Sequence, residues 1–192
     1  MTNSATSQAR PGKRERLIAS AAELLHQHGA AGPTLAEIAH AADVPPGNVY
    51  YYFKTRDELV QAVIESRMDQ VRALLASLDD RPTPVARLKG LAESWTANAQ
   101  MVVDYGCPLG GLCQELGKTN PELGEDAARP LRVLLEWVER QFRELGQRNA
   151  SALAVTFLGA IQGAALLASA LADEKLLRQE IRRIERWVES LA

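Results

Sequence analysis

TLAEIAHAADVPPGNVYYYFKTRDEL, from Thr34 to Leu59, is the stretch that decides the fold. Thr34 and Glu37 make a Thr-x-x-Glu capping box, so the spacing predicts a helix opening at Leu35. Leu35, Ile38 and Ala39 then fall on one apolar stripe at i, i+3 and i+4. Ala42-Asp43-Val44 reads as a tight turn. Asp43 stands where a positive φ is expected, which Asp tolerates better than most residues. Val44 is expected to plug the gap between two short helices. Pro46 suits the first turn of the second, where its missing N–H costs nothing. Val49 and Phe53 give that helix its inward side. Thr55 and Glu58 make a second capping box, so a third helix opens at Arg56. Two short helices joined by so tight a turn form a unit whose second member can enter a DNA major groove.

The outward face of the second helix carries the chemistry. Asn48, Tyr51 and Tyr52 are expected to point away from Val49 and Phe53, with Tyr50 divided between core and surface. Three consecutive tyrosines span roughly 200° of a helix, so at least one ring must face out. Gly47 has no side chain and lets a partner surface approach the backbone. A tyrosine hydroxyl donates to phosphate, and its ring packs on sugar or a thymine methyl. Lys54 and Arg56 add cations just beyond, Arg56 at a helix N-terminus that favours an anion.

From Gly47 to Leu59 the chain reads GNVYYYFKTRDEL. It resembles the DNA-binding domain of the tetracycline-repressor (TetR) family of bacterial transcriptional regulators, in particular members reading GNLYYHFKTKENL. The likeness extends back over a helix from Lys13 to His28 and fades beyond about Ile64, where only length and helical architecture still fit. It implies a recognition helix from Pro46 to Tyr52, with Gly47 against the bases and Thr34, Asn48, Tyr50, Tyr51, Tyr52, Lys54 and Arg56 as candidates for phosphate contact. Pro45 departs from the usual Ser or Thr cap, and Pro46 stands where some relatives place a base-reading polar residue. Tyr52 replaces a frequent His and Arg56 a frequent Lys, so the operator sequence does not transfer.

Composition bounds the rest. The 192 residues are 46% hydrophobic and 24% charged, ordinary for a soluble globular protein of one or two small domains. The net charge is −2, and the first sixty residues hold six Lys/Arg against six Asp/Glu. Any field toward DNA must therefore come from placement: Arg10, Lys13, Arg14 and Arg16 before the motif, Lys54 and Arg56 after it. The most apolar stretch, Leu153 to Ala172, is interrupted by Thr156, Gln162 and Ser169 and reads as a buried helix, not a membrane span. The N-terminus, TNSATSQARPG, lacks a signal-peptide core. A cytoplasmic protein with free thiols is expected.

The expected architecture is all-α. A disordered arm occupies residues 1–12, a three-helix helix-turn-helix DNA-binding domain 13–56, and a six-helix ligand-binding and dimerisation domain 57–192. Helix signals give nine helices in all: Lys13 to His28, stopped by Gly29; the two of the motif; then about 57–78, 83–105, 107–118, 120–146, 150–171 and 174–190. In the last two, the small residues from Gly159 to Ala168 and the apolar stripe Leu177, Ile181, Ile184, Trp187, Val188 and Leu191 suggest a homodimer face. The middle helices supply a candidate chamber for a small, mostly apolar inducer. Its expected lining is Trp95, Tyr105, Cys107, Leu112, Trp137, Phe157 and Gln162, with Asn98, Gln100 and Gln114 as further polar groups.

Cys107 precedes Pro108 at a helix start, where partial positive charge lowers a thiol pKa. The segment Gly106-Cys107 also resembles that of electrophile-sensing family members, although their partner lysine has no counterpart here. Two cysteines, with all three histidines in the first forty residues, make no metal site, and no cofactor is expected. Phosphate loops, nucleophile elbows and His/Asp/Ser sets are absent from the sequence, so it does not read as an enzyme. The reading is a ligand-responsive regulator, most simply a repressor released from a palindromic double-stranded DNA operator by its inducer. The alternatives are a thiol-sensing repressor acting through Cys107 and a helical interaction module that does not bind DNA.

Overall fold

The computed structural model describes residues 11–192, and every regular element among them is a helix. First come α1 (Lys13–His28), α2 (Leu35–Ala41), α3 (Pro46–Tyr52) and the long α4 (Arg56–Asp79). Then follow α5 (Pro84–Ala97), α6 (Ala99–Tyr105), α7 (Pro108–Thr119), α8 (Pro121–Ala127), α9 (Arg129–Glu144), α10 (Ala150–Ala170) and α11 (Glu174–Glu189). Of the arm expected over 1–12, the first ten residues, Arg10 included, lie outside the described residues.

The motif's punctuation works as its chemistry requires. Gly29 ends α1 at φ 81°, a left-handed conformation that favours glycine. Asp43 carries the turn at φ 51°. Thr34 Oγ1 accepts the Glu37 N–H, and Glu37 Oε2 accepts the Thr34 N–H at 2.8 Å, closing the first capping box. The second box forms only halfway. Thr55 Oγ1 accepts the Glu58 N–H at 3.1 Å, but the Glu58 carboxylate reaches past Thr55 to the N–H of Lys54 at 2.6 Å.

Two of the expected long helices are each divided. Pro130 has no N–H to donate to the Asp126 carbonyl, and the chain breaks at Ala128 into α8 and α9. Asn98 leaves helical geometry at φ −124° and ψ 45°, separating α5 from α6. Eleven helices therefore stand among the described residues where nine were expected, and eight rather than six follow α3.

The helices enclose two cores, and α4 belongs to both. Leu17, Ala21 and Leu25 of α1, Ile38 of α2, Val44, Val49 and Phe53 pack with Leu59, Val60, Val63 and Ile64 from the first half of α4. Leu116 of α7 and Leu123 of α8 close that core from outside the first three helices. Val71, Leu75 and Leu78 from the second half of α4 enter the larger core with α5, α6, α9, α10 and α11. The division between cores falls along α4 between Ile64 and Val71, not at its start.

α10 is long and apolar enough, by length and composition, to cross a membrane. One of its sides is nevertheless core: Ala154, Phe157, Leu158, Ile161, Ala164, Ala165 and Ala168 are buried within the subunit. Its other side is open, with Val155, Leu166, Leu167 and Leu171 each more than half exposed. α11 differs from expectation. Its stripe of Leu177, Ile181, Ile184 and Val188 is buried in its own subunit, and Trp187 leans on Phe142 with ring centroids 5.9 Å apart. Among the described residues, the exposed aliphatic side chains Val155, Leu166, Leu167 and Leu171 all lie on or at the end of α10.

Candidate nucleic-acid interface and effector chamber

α3 is aimed by the residues it buries. Val49 and Phe53 are nearly inaccessible and seat it on α1, α2 and α4. With about 100° per residue, Tyr51 falls opposite the midpoint of Val49 and Phe53, while Tyr50 and Tyr52 fall on its two flanks. The surroundings decide between those flanks. Tyr52 packs against the first core, whereas Tyr50 is 58% and Tyr51 78% exposed. The outward set is thus Tyr50 and Tyr51, in place of the expected Tyr51 and Tyr52. The Tyr51 and Tyr52 rings meet edge to face at 5.0 Å, which fixes the exposed ring against the packed one.

Around those rings, Pro46 and Gly47 are exposed and Asn48 is half-buried. A Cβ built on Gly47 would meet no atom within 4 Å, so nothing in the subunit requires glycine there. Lys54 Nζ donates to the Tyr50 carbonyl at 2.8 Å and covers the C-terminal end of α3. Arg14 lies over the Phe53 ring, 5.3 Å from its centroid. Arg16 pairs with Asp43 across the turn at 3.3 Å.

Two expected contact residues are held by the protein itself. The Thr34 hydroxyl donates to Glu37 Oε2 at 2.8 Å and accepts that residue's N–H, so its one proton is engaged. Those bonds from Thr34 hold the Glu37 carboxyl below the usual carboxylate range, leaving an anion beside Thr34. The Arg56 guanidinium donates to the carbonyls of Ala30 and Pro33 and ties the start of α4 to the α1–α2 loop. Nothing in the local sequence marks the two Arg56 bonds.

The arrangement of α2, turn and α3 is that of a helix-turn-helix, and residues 17–63 match the family of bacterial regulatory proteins called tetR. The chain belongs to the TetR family. It is 28% identical over 175 residues to an HTH-type transcriptional regulator in the lacX 3′ region of Lactococcus lactis subsp. lactis, covering 85% of this chain and 87% of that one. It is 24% identical over 132 residues to the HTH-type transcriptional repressor DhaR of a Mycobacterium species, covering 68% of this chain and 64% of that one. A TetR transcriptional regulator from Legionella pneumophila shares the fold at a TM-score of 0.84 and 19% identity, over 93% of this chain and 98% of that one. This TetR-family protein is a DNA-binding transcriptional regulator, not an enzyme.

In this regulator a chamber of about 350 Å³ opens where α4, α5, α6, α7 and α9 meet, with His26 of α1 at its edge. Trp95 lines it as expected, with Leu91, Met101, Leu109 and Leu134, and Asn98 and Ser94 are its uncharged polar groups. Tyr105, Cys107 and Leu112 line an adjoining narrow cleft that shares His26 and Arg67 with the chamber. Gln162 lies beside Gly110, and its Nε2 is buried without a hydrogen-bond partner among the described residues. Trp137 and Phe157 are elsewhere. The Trp137 indole donates to Asp79 at 2.9 Å, and Phe157 is fully buried against Phe142. Both serve packing and do not face the chamber.

His26 and Arg67 join the two parts of the molecule at the chamber's edge, and residue patterns had not singled either out. His26 Nε2 lies 3.0 Å from the Gly106 carbonyl. Burial lowers the imidazole pKa, the bond to Gly106 opposes that, and Arg67 adds to the lowering. Arg67 donates to the carbonyl of Ala22 on α1 at 3.3 Å and to Gln70 Oε1 at 3.0 Å. A signal for Arg67 does exist: with Ile64, Met68 and Val71 buried, it stands at i+3 on their apolar stripe.

Cys107 corrects an expectation. It does cap α7, accepting the Gly110 N–H at 3.2 Å, but burial outweighs that bond and pushes the thiol pKa up. Cys113 is pushed up to about 11 by burial, and its thiol donates to the Ala127 carbonyl at 2.8 Å. Neither sulfur is poised as a thiolate. Among the described residues, no group of three His, Cys, Asp or Glu side chains could hold a metal ion.

Proposed function

We propose that the protein is a cytoplasmic, homodimeric repressor that leaves a palindromic operator when a small, mostly apolar inducer fills the chamber. The observation that carries this is the double membership of α4. Its first turns pack under the reader helix, and from Arg67 onward, with Val71 and Leu74, it lines the chamber. A ligand that prefers one tilt of α4 thereby selects one placement of α3, and the shift can be no larger than that preference. Residues 13–56 act as the reading domain and 57–192 as the sensing and dimerising domain, with α4 as the lever between them.

The dimer face is the open side of α10. Gly159 and Gly163 leave room for a close helix approach, and Leu166, Leu167 and Leu171 add exposed apolar surface around them. Two-fold symmetry then places two copies of α3 in successive major grooves, about 34–36 Å apart. Pro46, Gly47, Asn48, Tyr50 and Tyr51 face the duplex, with Lys54 on its phosphates. Thr34, Tyr52 and Arg56 hold that surface in place. The repressor reading also has support from the relative DhaR, an HTH-type transcriptional repressor.

Selection of duplexes from a random pool by the purified full chain tests the reading. The expected product is an inverted repeat whose half-sites are about 10–10.5 base pairs apart or a multiple of that. Affinity for it should fall with salt at a log–log slope of about −0.9 per phosphate neutralised. Enrichment of no sequence, or of single half-sites only, overturns it.

A further inference from the structure

The chamber is not uniformly apolar. Against Leu91, Trp95, Met101 and Leu109 it sets one cation, the guanidinium of Arg67, and no carboxylate lines it. Among the described residues Arg67 has no ion pair; its bonds go to the carbonyl of Ala22 and the side chain of Gln70, both uncharged. The nearby carboxylates are committed elsewhere. Glu65 pairs with Arg129 at 2.7 Å, Asp69 with Arg72 at 3.4 Å, and Glu115 accepts the Ala30 N–H. Burial disfavours the charged form of Arg67, yet a guanidinium stays protonated at any physiological pH. The free protein thus holds a partly desolvated cation that no carboxylate pairs among the described residues, at the edge of a cavity large enough for a small organic molecule.

We infer that the chamber takes an organic carboxylate with an apolar body, its carboxylate on Arg67 and its body along Trp95, Leu91 and Leu109. The guanidinium fork matches a carboxylate in two parallel hydrogen bonds, which an alcohol or amine of the same length cannot form. The same guanidinium holds the Ala22 carbonyl of α1, so the ligand's charged end meets a side chain that joins the sensing part to the reading part. The inference rests on the chamber reading above and narrows it to one charge class.

Trp95 lines the chamber, which makes its fluorescence the natural readout. The full-length protein is titrated with octanoate, 1-octanol and octylammonium, which share a chain and differ in charge. The expected result is saturable change with octanoate, at least about tenfold weaker binding of octanol, and none of octylammonium. Arg67→Gln should lose about tenfold or more for octanoate and nothing for octanol, and Arg67→Lys should retain part of the preference. Trp95→Phe should remove the optical signal while calorimetry still reports octanoate binding, and thermal melts check that each variant is folded. Equal binding of octanoate and octanol, or an unaltered preference in a folded Arg67→Gln, overturns the carboxylate assignment and leaves the chamber standing. Failure of all three compounds to bind by calorimetry overturns the assignment and the chamber reading together.

Discussion

The guanidinium of Arg56, in the first turn of α4, donates from Nε to the carbonyl oxygen of Pro33, 3.3 Å away, just before the cap of α2. With its second bond to Ala30, it closes the helix-turn-helix onto the lever helix. Removing it should therefore loosen the reader without removing any group that faces DNA. Arg56→Ala is expected to lower unfolding free energy by about 1–3 kcal/mol in urea titration and to weaken operator binding in parallel. Arg56→Lys should recover only part of both, because an ammonium lacks the fork that spans two carbonyls. Lost affinity at unchanged stability would instead place Arg56 directly on a phosphate.

Gly47 gives the complementary case. A methyl group there meets nothing in the subunit, and the residue sits inside a helix, where alanine is the better former. Gly47→Ala is expected to leave stability unchanged or raise it by about 0.5 kcal/mol. If the backbone lies against the base edges, the same methyl should cost operator affinity about tenfold. A gel-shift titration beside a thermal melt separates the two effects, and unchanged affinity would mean that no duplex approaches this turn of α3.

Tyr51 and Tyr52 should part company on the same two axes. Tyr51→Ala removes a ring that is 78% exposed, so stability should stay within about 0.5 kcal/mol while affinity drops about tenfold or more. Tyr52→Ala removes packing from the first core and should cost about 1–3 kcal/mol of stability. Equal destabilisation by the two substitutions would contradict the geometry of α3.

Much of this was legible in the chain because short-range chemistry fixed it. The Thr34–Glu37 box, the positive φ of Asp43 and the stop at Gly29 depend on neighbours within a few residues. The break at Ala128 has a local cause as well, the missing N–H of Pro130. What stayed hidden depends on distant partners. Helical spacing puts Tyr50 and Tyr52 on equivalent flanks, and only the packed core chooses between them. Arg56 reads as a free cation until the α1–α2 loop folds back over it. A stripe such as that of α11 looks the same whether it packs inside a subunit or between two. Trp137 and Phe157 look like chamber walls for the same reason, since aromatic residues line cavities and cores alike.

The open side of α10 supplies the test of assembly. Leu166 and Leu167 are 69% and 51% exposed, and charging them leaves the buried side of the helix untouched. Leu166→Asp combined with Leu167→Asp should give a folded monomer by analytical ultracentrifugation, with operator affinity reduced far more than by any single reader substitution. A double variant that still sediments as a dimer would move the interface to another face.

His26 gives the chain a pH dependence with a definite sign. Its ordinary value is 6.5, and burial between α1 and the α6–α7 loop lowers it in the folded state. Between those two values the unfolded chain binds more protons than the folded one, so stability rises with pH there. Descending from neutral, the contribution is whole above 6.5, falls away below it, and levels off beneath the folded value. His26→Gln keeps a donor within reach of the Gly106 carbonyl but cannot titrate. Arg67, Tyr105, Cys107 and Glu115 face the same cleft from other elements and are present in both proteins, so the difference between the two curves isolates the imidazole. From about pH 7.5 down to about pH 5 the melting temperature of the wild type should fall by more than that of the variant. Curves that stay parallel across that interval would show that His26 carries its proton equally well in the folded and unfolded chain.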